Sequence, residues 1–298
     1  MNIRVGFIGL GVMGKPMALN LIKDGYPLRV FSRRAESMAP LVAAGAVACS
    51  TPAETARAAD MTLIMVSGMD AVEEVILGPQ GILAGAKPGT TVVVTSTISP
   101  EAARSLAGKL SDRGVEMLDA PVSGGESEAI DGSLSIMAGG KEETFALARP
   151  IFERLGKNIV HVGPSGAGQL AKACNQIAVT MALEGVAEAF SLARKSGVDP
   201  ARVREALLGG FAGSKTLEVR GKKMLDADFR PGFKARHHQK DLRTILEIAH
   251  RMGFALPGTA VATQHINALV GGGEGEADLA ALINVIERLN GKPSKENG

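Results

Sequence analysis

Short apolar runs alternate with longer segments along the first half of the chain. Seven runs rich in β-branched and other apolar residues predict β-strands, at residues 3–8, 28–31, 61–66, 91–95, 116–120, 134–138 and 158–162. Helix-start signals lie between them, with Thr51 before Pro52 and Ser99 before Pro100. Strands that alternate with helices predict right-handed crossovers and a largely parallel sheet covered on both faces.

The strand pattern ends after Gly163. Residues 169–195 contain no proline and are apolar on nearly every face, which predicts a helix of about 27 residues, roughly 40 Å long and buried on several sides. The remainder is predicted to be helical, with breaks at 197–200, where Asp199 is a candidate N-cap, and at 230–232, 257–258 and a loop at 271–275. The tail after Gly291 is predicted to be disordered.

A glycine-rich turn follows the first predicted strand directly. Its sequence is Gly9-Leu10-Gly11-Val12-Met13-Gly14, a G-x-G-x-x-G pattern. In such turns the first glycine permits a tight bend, the second lets the backbone approach a pyrophosphate, and the third lets helix and strand pack closely. The amides at the start of the following helix point at the phosphates. These six residues therefore predict a dinucleotide site.

The end of the second predicted strand reads Ser32-Arg33-Arg34. An acid that binds the two adenosine ribose hydroxyls is normally found here. Two guanidinium groups without a carboxylate suit the 2′-phosphate of NADP instead. One charged hydrogen bond of roughly 1.5–3 kcal/mol predicts a preference for NADPH of about 10-fold to 150-fold, with NAD still possible. The alternative is that both arginines only solvate a surface turn.

Two domains are predicted. Residues 1–163 form an NADP-binding α/β Rossmann-type domain, and residues 164–298 form an all-α domain for substrate binding and oligomerisation, joined to the first by the long interdomain helix. The apolar character of the second domain predicts a homodimer or homotetramer.

Composition excludes several classes of function. The chain has 33 Lys+Arg and 31 Asp+Glu, a net charge of +2, and only 3% aromatic residues, which argues against a nucleic-acid binder. We expect no membrane association, because no uninterrupted apolar run approaches about 18 residues and no signal-peptide pattern is present. Cys49 and Cys174 are too few for a disulfide framework or a thiolate metal site. These features predict a cytoplasmic protein without a bound metal.

The segment Asp119-Ala120-Pro121-Val122-Ser123-Gly124-Gly125 follows the fifth predicted strand. Its two glycines expose backbone N–H groups beside the Ser123 hydroxyl, and several convergent donors suit a carboxylate. An ordinary glycine-rich turn is the alternative.

A lysine interrupts the apolar long helix. Lys172, Asn175 and Gln176 stand at i, i+3 and i+4, so they share one face. Burial of an ammonium without partners is costly, so this lysine is either paired or functional. Beside a nicotinamide, Lys172 could donate a proton to a carbonyl oxygen while hydride reaches the carbon, which is worth roughly 10² to 10⁴ in rate. Alternatively, Lys172 snorkels from a partly exposed helix.

Together these segments resemble the β-hydroxyacid dehydrogenase family over nearly the whole chain. The most specific segments are 119–125 with its continuation Asp131-Gly132-Ser133-Leu134, the Lys172 helix, and Lys240-Asp241-Leu242. Within the family, the tartronate semialdehyde branch is the most similar, at residues 128–132, 175–176, 209–214 and 229–233.

The resemblance implies reduction of a small carboxylated semialdehyde, with tartronate semialdehyde to glycerate as the leading pair. It implies that Lys172 is catalytic, that Ser123, Gly124 and Gly125 hold the substrate carboxylate, and that Asn175 or Gln176 orients the substrate. Lys240 is then expected to close the site near the nicotinamide. Further cofactor contacts are expected from Val66, Ser67, Thr97 and Phe233.

Some alternatives remain open. The same chemistry on 3-hydroxyisobutyrate, succinic semialdehyde, glyoxylate or serine is the nearer one, and a non-enzymatic NADP-binding module is the remoter. The chain departs from most relatives at Gln176, where they have a second Asn, and at Ser67-Gly68, where they have Leu-Pro or Met-Pro. Residues 236–239 are unusually polar and would suit a more anionic substrate. His237 and His238 are predicted to be solvated rather than to bind a ligand.

Overall fold

The structure is a computed structural model in which residues 3–291 are described. The chain divides into two compact units, the first ending at Lys172 and the second beginning at Ala173. Helix α8 (Ala167–Lys195) runs through the division.

The first unit contains one sheet of nine strands: β1 Val5–Ile8, β2 Leu28–Phe31, β3 Val47–Ala48, β4 Met61–Ile64, β5 Thr91–Val94, β6 Glu116–Asp119, β7 Val122–Ser123, β8 Leu134–Gly139 and β9 Gly156–Gly163. Their order is β3-β2-β1-β4-β5-β6-β8-β7, with β9 paired to β8. Neighbours from β3 to β6 are parallel, and β8 is antiparallel to β6 and β7. The predicted largely parallel sheet is confirmed.

The strand order reverses at β1. The chain moves outward from β1 to β2 and β3, and then returns to β4 on the other side of β1. In open α/β sheets, ligands bind outside the carboxyl ends of the strands at such a switch point. The ends of β1 and β4 therefore mark the expected position of a ligand.

Both faces of the sheet are buried. Phe7 belongs to an apolar cluster on one face, with Met17 and Phe152, whereas its neighbour Ile8 belongs to the cluster on the other face, with Val92. Successive strand residues point to opposite faces. A parallel strand covered on both faces therefore appears in the sequence as a continuous apolar run.

Seven helices cover the sheet: α1 Gly14–Lys23, α2 Ala39–Ala43, α3 Pro52–Arg57, α4 Met69–Leu77, α5 Pro100–Ser111, α6 Glu126–Ile130 and α7 Glu142–Leu155. Two predicted caps are confirmed. Thr51 Oγ1 accepts from the Glu54 amide at 3.0 Å, and Ser99 Oγ accepts from the Ala102 amide at 3.1 Å.

The described residues of the second unit form helices joined by turns and loops, with an isolated β-bridge between Lys234 and Asp278. After α8 it contains α9 Pro200–Leu208, α10 Lys222–Asp226, α11 Ala235–Arg251, α12 Pro257–Leu269 and α13 Leu282–Leu289. The predicted N-cap Asp199 accepts from the Ala201 amide at 2.9 Å. Its apolar core is formed by side chains from several helices, including Phe190, Leu242, Ile266 and Leu282. The predicted fold class, a Rossmann-type domain followed by an all-α domain with a long joining helix, is confirmed.

Several predicted boundaries differ from the structure. β1 begins at Val5 rather than at residue 3, and β9 spans Gly156–Gly163 rather than 158–162. β3 and β7 were not predicted, because two residues are too few for a periodic pattern. The predicted helix break at 271–275 is confirmed, but it is not an open loop: Val270–Glu274 forms a π-helical turn whose kink falls at Gly273, with φ 88°. The tail after Gly291 lies outside the described residues.

Helix α8 is less completely buried than its sequence predicts. Leu170, Met181 and Leu192 lie exposed along one stripe, so the prediction of burial on several sides holds only for the rest of the helix. Among the described residues, α8 alone is long and apolar enough to meet the criteria for a membrane span, but half of its most apolar window is buried within the structure. Core helices commonly meet the same criteria.

A buried carboxylate organises the segment that precedes α11. Asp278 pairs with Arg220 and accepts from the Gly232 amide at 2.8 Å. Burial alone would raise the pKa of Asp278, but the charge of Arg220 and the backbone donors outweigh it and hold the pKa below its ordinary value. The ionised carboxylate therefore stabilises the second unit.

Asp278→Asn should destabilise the protein by about 3 kcal/mol at neutral pH, because it leaves Arg220 without its counter-charge. A carboxyl group whose pKa is lower in the folded state than in the unfolded state stabilises the fold at pH values above its unfolded-state pKa. This stabilisation is lost as the pH falls from there through the folded-state pKa. The gap in unfolding free energy between wild type and variant should therefore shrink below a pH of about 4.

Urea unfolding at a series of pH values measures this gap. Asp226→Asn, which removes an exposed ion pair with Lys222, is the control and should change stability by no more than about 1 kcal/mol. A gap that stays constant into acid would contradict a role for the ionised carboxylate.

Candidate functional site

Many of the predicted site residues follow the carboxyl ends of neighbouring parallel strands. The glycine turn follows β1, Ser32–Arg34 follow β2, Val66 and Ser67 follow β4, and Thr97 follows β5. Ser123 and the two glycines after it follow β6 through β7. Because the carboxyl ends of parallel strands meet at one edge of a sheet, the fold brings these residues to the same edge.

The three glycines of the first turn differ in what surrounds them. Gly9 has φ 97°, and a Cβ there would lie 2.2 Å from the Met65 carbonyl oxygen. A Cβ on Gly14 would lie 1.9 Å from the Gly9 carbonyl oxygen. A Cβ on Gly11 would meet no atom within 4 Å. Gly9 and Gly14 are therefore required by packing, whereas Gly11 leaves open space at the start of α1.

This open space fits a pyrophosphate. No side chain caps the first amides of α1, and unsatisfied amides at a helix N-terminus favour an anion. The exposed backbone at Gly11 would allow the phosphate oxygens to approach those amides. The residues present thus fit the diphosphate of a dinucleotide cofactor.

Arg33 and Arg34 lie exposed at the end of β2. Within residues 3–291 neither guanidinium forms a hydrogen bond or an ion pair. Two cations that no carboxylate neutralises favour an anionic group at this end of the strand. They therefore fit the 2′-phosphate of NADP.

Gln169 holds the loop that carries Thr97. Its Nε2 donates to the Ser96 carbonyl oxygen at 2.8 Å, and its Oε1 accepts from the Ile98 amide at 3.0 Å. Ser96 Oγ in turn accepts from the Val66 amide at 2.9 Å, which ties this loop to the one after β4. No local sequence pattern marks Gln169 for this role, because its partners Ser96 and Ile98 lie far away in the chain.

The start of α8 is fixed to the sheet by Asp119. Its carboxylate accepts from the Gly166 amide at 2.7 Å and from the Gln169 amide at 2.9 Å. Burial raises the pKa of Asp119 despite these donors. A Cβ on Gly168 would lie 2.3 Å from the Met137 carbonyl oxygen, so helix and sheet are in direct backbone contact.

Lys172 follows Gln169 by one turn of α8. Its side chain is buried, with only 8% of the residue exposed, so the alternative of a lysine that snorkels from a partly exposed helix is wrong. A buried ammonium requires polar surroundings, since isolation of a charge from water is costly. The fold therefore places a buried lysine side chain one turn beyond the helix start that Asp119 anchors.

In the loop after β7, one backbone amide that was predicted to be exposed is engaged within the protein. Gly124 has φ 133°, and a Cβ there would lie 2.8 Å from Leu134 Cδ2, so the turn requires glycine. The Gly125 amide donates to Glu128 Oε2 at 2.7 Å at the start of α6. This amide is engaged within the protein, which corrects the expectation that both glycine amides are exposed for a ligand.

The remaining predicted residues lie in the second unit, where Gln176 is the centre of a buried network. Its Oε1 accepts from Asn175 Nδ2 at 2.9 Å, and its Nε2 donates to Asp241 Oδ2 at 2.8 Å. His238 Nδ1 lies 3.4 Å from the same Nε2, and His238 Nε2 lies 2.7 Å from Thr180 Oγ1. The amide of Gln176 is thus engaged at both ends within the protein.

Lys240 and Phe233 border this network. Lys240 Nζ lies 3.0 Å from Asp241 Oδ1, and the Phe233 ring packs edge-on against His238 with centroids 6.0 Å apart. Lys240 also lines a groove of about 690 Å³ with Arg236, Gln239 and Arg243 on α11. The cationic lining is consistent with the polar character predicted for residues 236–239.

The prediction of a solvated His238 is wrong. The residue is completely buried, and its partners Thr180 and Gln176 on α8 are distant in sequence, so the local polar pattern around it was misleading. His237 is half-buried, and burial together with the charge of Arg236 lowers its pKa. Among residues 3–291, no three His, Cys, Asp or Glu side chains are grouped as metal ligands.

Each of the two units matches a domain of known protein families. Residues 4–163 match the NAD binding domain of 6-phosphogluconate dehydrogenase, and residues 166–286 match the NAD-binding domain of NADP-dependent 3-hydroxyisobutyrate dehydrogenase. The chain belongs to the 3-hydroxyisobutyrate dehydrogenase family. It is therefore an NAD(P)-dependent enzyme of the hydroxyacid dehydrogenase class, as the resemblance implied.

Individual relatives within this family differ in substrate. The chain is 44% identical to 2-hydroxy-3-oxopropionate reductase of Escherichia coli, over 96% of this chain and 98% of the relative. It is 36% identical to NAD-dependent L-serine dehydrogenase of Pseudomonas aeruginosa, over 97% and 99%. A solved structure of Mycobacterium tuberculosis 3-hydroxyisobutyrate dehydrogenase with L-serine has a TM-score of 0.88 and 30% identity, covering 96% of this chain and 99% of that one.

Two alanine substitutions should separate packing from cofactor binding in the glycine turn. Gly14→Ala should destabilise the protein by about 1–3 kcal/mol, because its Cβ has no space. Gly11→Ala should leave stability unchanged and weaken NADPH binding at least about 10-fold, because its Cβ would occupy the space of the diphosphate.

Thermal unfolding without cofactor and fluorescence titration with NADPH measure the two effects. Each variant serves as the control for the other. Wild-type affinity in a stable Gly11→Ala protein would contradict the placement of the diphosphate.

Proposed function

We propose that the enzyme is an NADP-preferring reductase that converts tartronate semialdehyde to glycerate. The observation that carries this proposal is the buried Lys172 side chain on a helix whose start is fixed to the sheet edge that bears the glycine turn. A hydroxyacid dehydrogenase needs a proton donor for the substrate oxygen, and a buried lysine is suited to that role.

In the proposed mechanism the residues of this chain bind the substrate and move one proton. NADPH, when bound, supplies the hydride that reduces the carbonyl carbon. Lys172 donates a proton to the carbonyl oxygen as negative charge develops on it, and in the reverse direction accepts the proton from the hydroxyl. Such general acid catalysis is worth roughly 10² to 10⁴ in rate.

The proposed substrate contacts follow from the donors in each loop. Ser123 and the Gly124 amide hold the substrate carboxylate, with Gly125 supporting the turn that presents them. Asn175 or Gln176 orients the substrate; their side-chain amides are hydrogen-bonded to each other, with 2.9 Å between Asn175 Nδ2 and Gln176 Oε1. Lys240, which carries a second positive charge, completes the proposed site.

The choice of substrate is supported by similarity rather than by geometry. The Escherichia coli relative reduces 2-hydroxy-3-oxopropionate, which is tartronate semialdehyde, according to its name. Serine is the second candidate, because the Pseudomonas relative is named for L-serine and the similar mycobacterial structure contains it. Both compounds are small carboxylates with a polar group on the carbon next to the carboxylate.

We also propose a homodimer or homotetramer in the cytoplasm. The exposed apolar stripe of α8, with Leu170, Met181 and Leu192, supports self-association, because large apolar side chains aligned on a surface favour an interface.

Initial-rate kinetics should rank the substrates and cofactors. With NADPH, tartronate semialdehyde should have a higher kcat/KM than methylmalonate semialdehyde, succinic semialdehyde or glyoxylate. Its kcat/KM should also be higher than that of L-serine in the oxidation direction with NADP⁺. NADPH should be preferred over NADH by about 10-fold to 150-fold. Arg33→Ala and Arg34→Ala should each reduce that preference, whereas the exposed Arg113→Ala is a control that should not.

Two results would contradict the proposal. A higher kcat/KM for L-serine or for another semialdehyde would reassign the substrate. Equal kcat/KM with NADH and NADPH in the wild-type enzyme would overturn the cofactor preference.

A further inference from the structure

Gln169 bonds to the main chain on both sides of Thr97. The residue is 1% exposed and lies on the first turn of α8. Its Nε2 donates to the Ser96 carbonyl oxygen at 2.8 Å, and its Oε1 accepts from the Ile98 amide at 3.0 Å. A carbonyl oxygen accepts and a backbone amide donates, so these two partners determine which end of the side-chain amide faces which residue.

The loop that carries Thr97 is held from two directions. Thr97 is partly exposed, whereas Ser96 and Ile98 on either side of it are buried. On the β4 side, Ser96 Oγ accepts from the Val66 amide at 2.9 Å. On the α8 side, the loop is bonded to Gln169. These contacts fix Thr97 at the edge of the sheet where the cofactor site is proposed.

The backbone of Gln169 is bonded to the sheet as well. Its amide donates to Asp119 Oδ2 at 2.9 Å, and Asp119 Oδ1 accepts from the Gly166 amide at 2.7 Å. Lys172 follows three residues later in α8, a spacing at which helix side chains are neighbours with about 5–6 Å between their Cβ atoms. The residue that holds the Thr97 loop is therefore also a helix neighbour of Lys172.

We propose that Gln169 is a positioning residue that fixes Thr97 relative to Lys172, so that the nicotinamide and the proton donor keep one spacing across the site. Gln169 acts through the main-chain groups of Ser96 and Ile98 rather than by contact with the reacting atoms. This inference rests on the proposed function, with Thr97 as a contact of NADPH and Lys172 as the proton donor. A misplacement of reacting groups by about 1 Å can cost about 100-fold in rate.

Gln169→Glu changes one hydrogen bond and keeps the size and shape of the side chain. At about pH 8 its carboxylate accepts from Ile98 but places a second acceptor against the Ser96 carbonyl oxygen, so the Kd for NADPH should rise at least about 10-fold. A protonated carboxyl group can donate to Ser96 and accept from Ile98, as the amide does. Burial and the Asp119 carboxylate raise the pKa of the introduced group, so the Kd, relative to the wild type at the same pH, should recover at about pH 6.

Gln169→Leu removes both hydrogen bonds at every pH. Its Kd for NADPH should therefore be at least about 10-fold higher than that of the wild type across the whole pH range, and its kcat at saturating NADPH should also fall at least about 10-fold. The melting temperature without cofactor should fall too, because the buried groups of Ser96 and Ile98 lose their partners. The control Gln80→Glu makes the same chemical change as Gln169→Glu at an exposed position and should match the wild type throughout.

A double substitution tests whether Gln169 acts through Thr97. Thr97→Ala and Gln169→Leu should each weaken NADPH binding. The Kd of the double variant should lie within about 2-fold of that of the weaker single variant, because both changes remove the same contact. Independent effects would multiply instead.

Fluorescence titration with NADPH, thermal unfolding without cofactor and kcat with tartronate semialdehyde are measured for the wild type and all variants. Wild-type affinity in a folded Gln169→Leu protein, a loss in Gln169→Glu that acid does not reverse, or losses that multiply in the double variant would overturn the inference. A lower melting temperature with unchanged Kd and kcat would indicate a structural role alone and would overturn it as well. If the wild type reduced no semialdehyde, the proposed function would fail, whereas acid recovery of NADPH binding in Gln169→Glu would still support the positioning role.

Discussion

The carboxylate of Asp119 is the constraint on which the proposed site depends. It is buried at the end of β6, where it accepts two amide hydrogen bonds from the start of α8. A negative charge at a helix N-terminus is favourable, and this cap fixes the first turn of the helix against the sheet. Gln169, on that turn, holds the loop after β5. Lys172 lies one turn further, so its position follows from the sheet rather than from a mobile loop.

Much of the fold could be predicted from the sequence because its signals are local. Parallel strands buried on both faces give continuous apolar runs, and Thr51, Ser99 and Asp199 mark helix starts that the structure confirms. Two-residue strands carry no period, so β3 and β7 were missed. The glycines at 271–273 suggested a loop, but glycine also permits the kinked π-helical turn that the structure contains.

The candidate site could be predicted only where chemistry is encoded in short motifs. The glycine turn, the paired arginines and Lys172 are of this kind. The network of Gln176, His238 and Asp241 joins α8 to α11, and nothing in either segment alone indicates the pairing. The same applies to Glu128, which engages the Gly125 amide. The local sequence around these polar residues suggests solvent exposure, but hydrogen bonds to partners far away in the chain hold them in place within the structure.

The central claim is that Lys172 supplies the proton, and the kcat of Lys172→Ala tests it most directly. We expect kcat with tartronate semialdehyde to fall at least about 100-fold, while the dissociation constant for NADPH stays within about 2-fold of the wild type. Lys195→Ala, near the other end of the same helix, should behave as the wild type. Normal turnover by a folded Lys172→Ala enzyme would contradict the account.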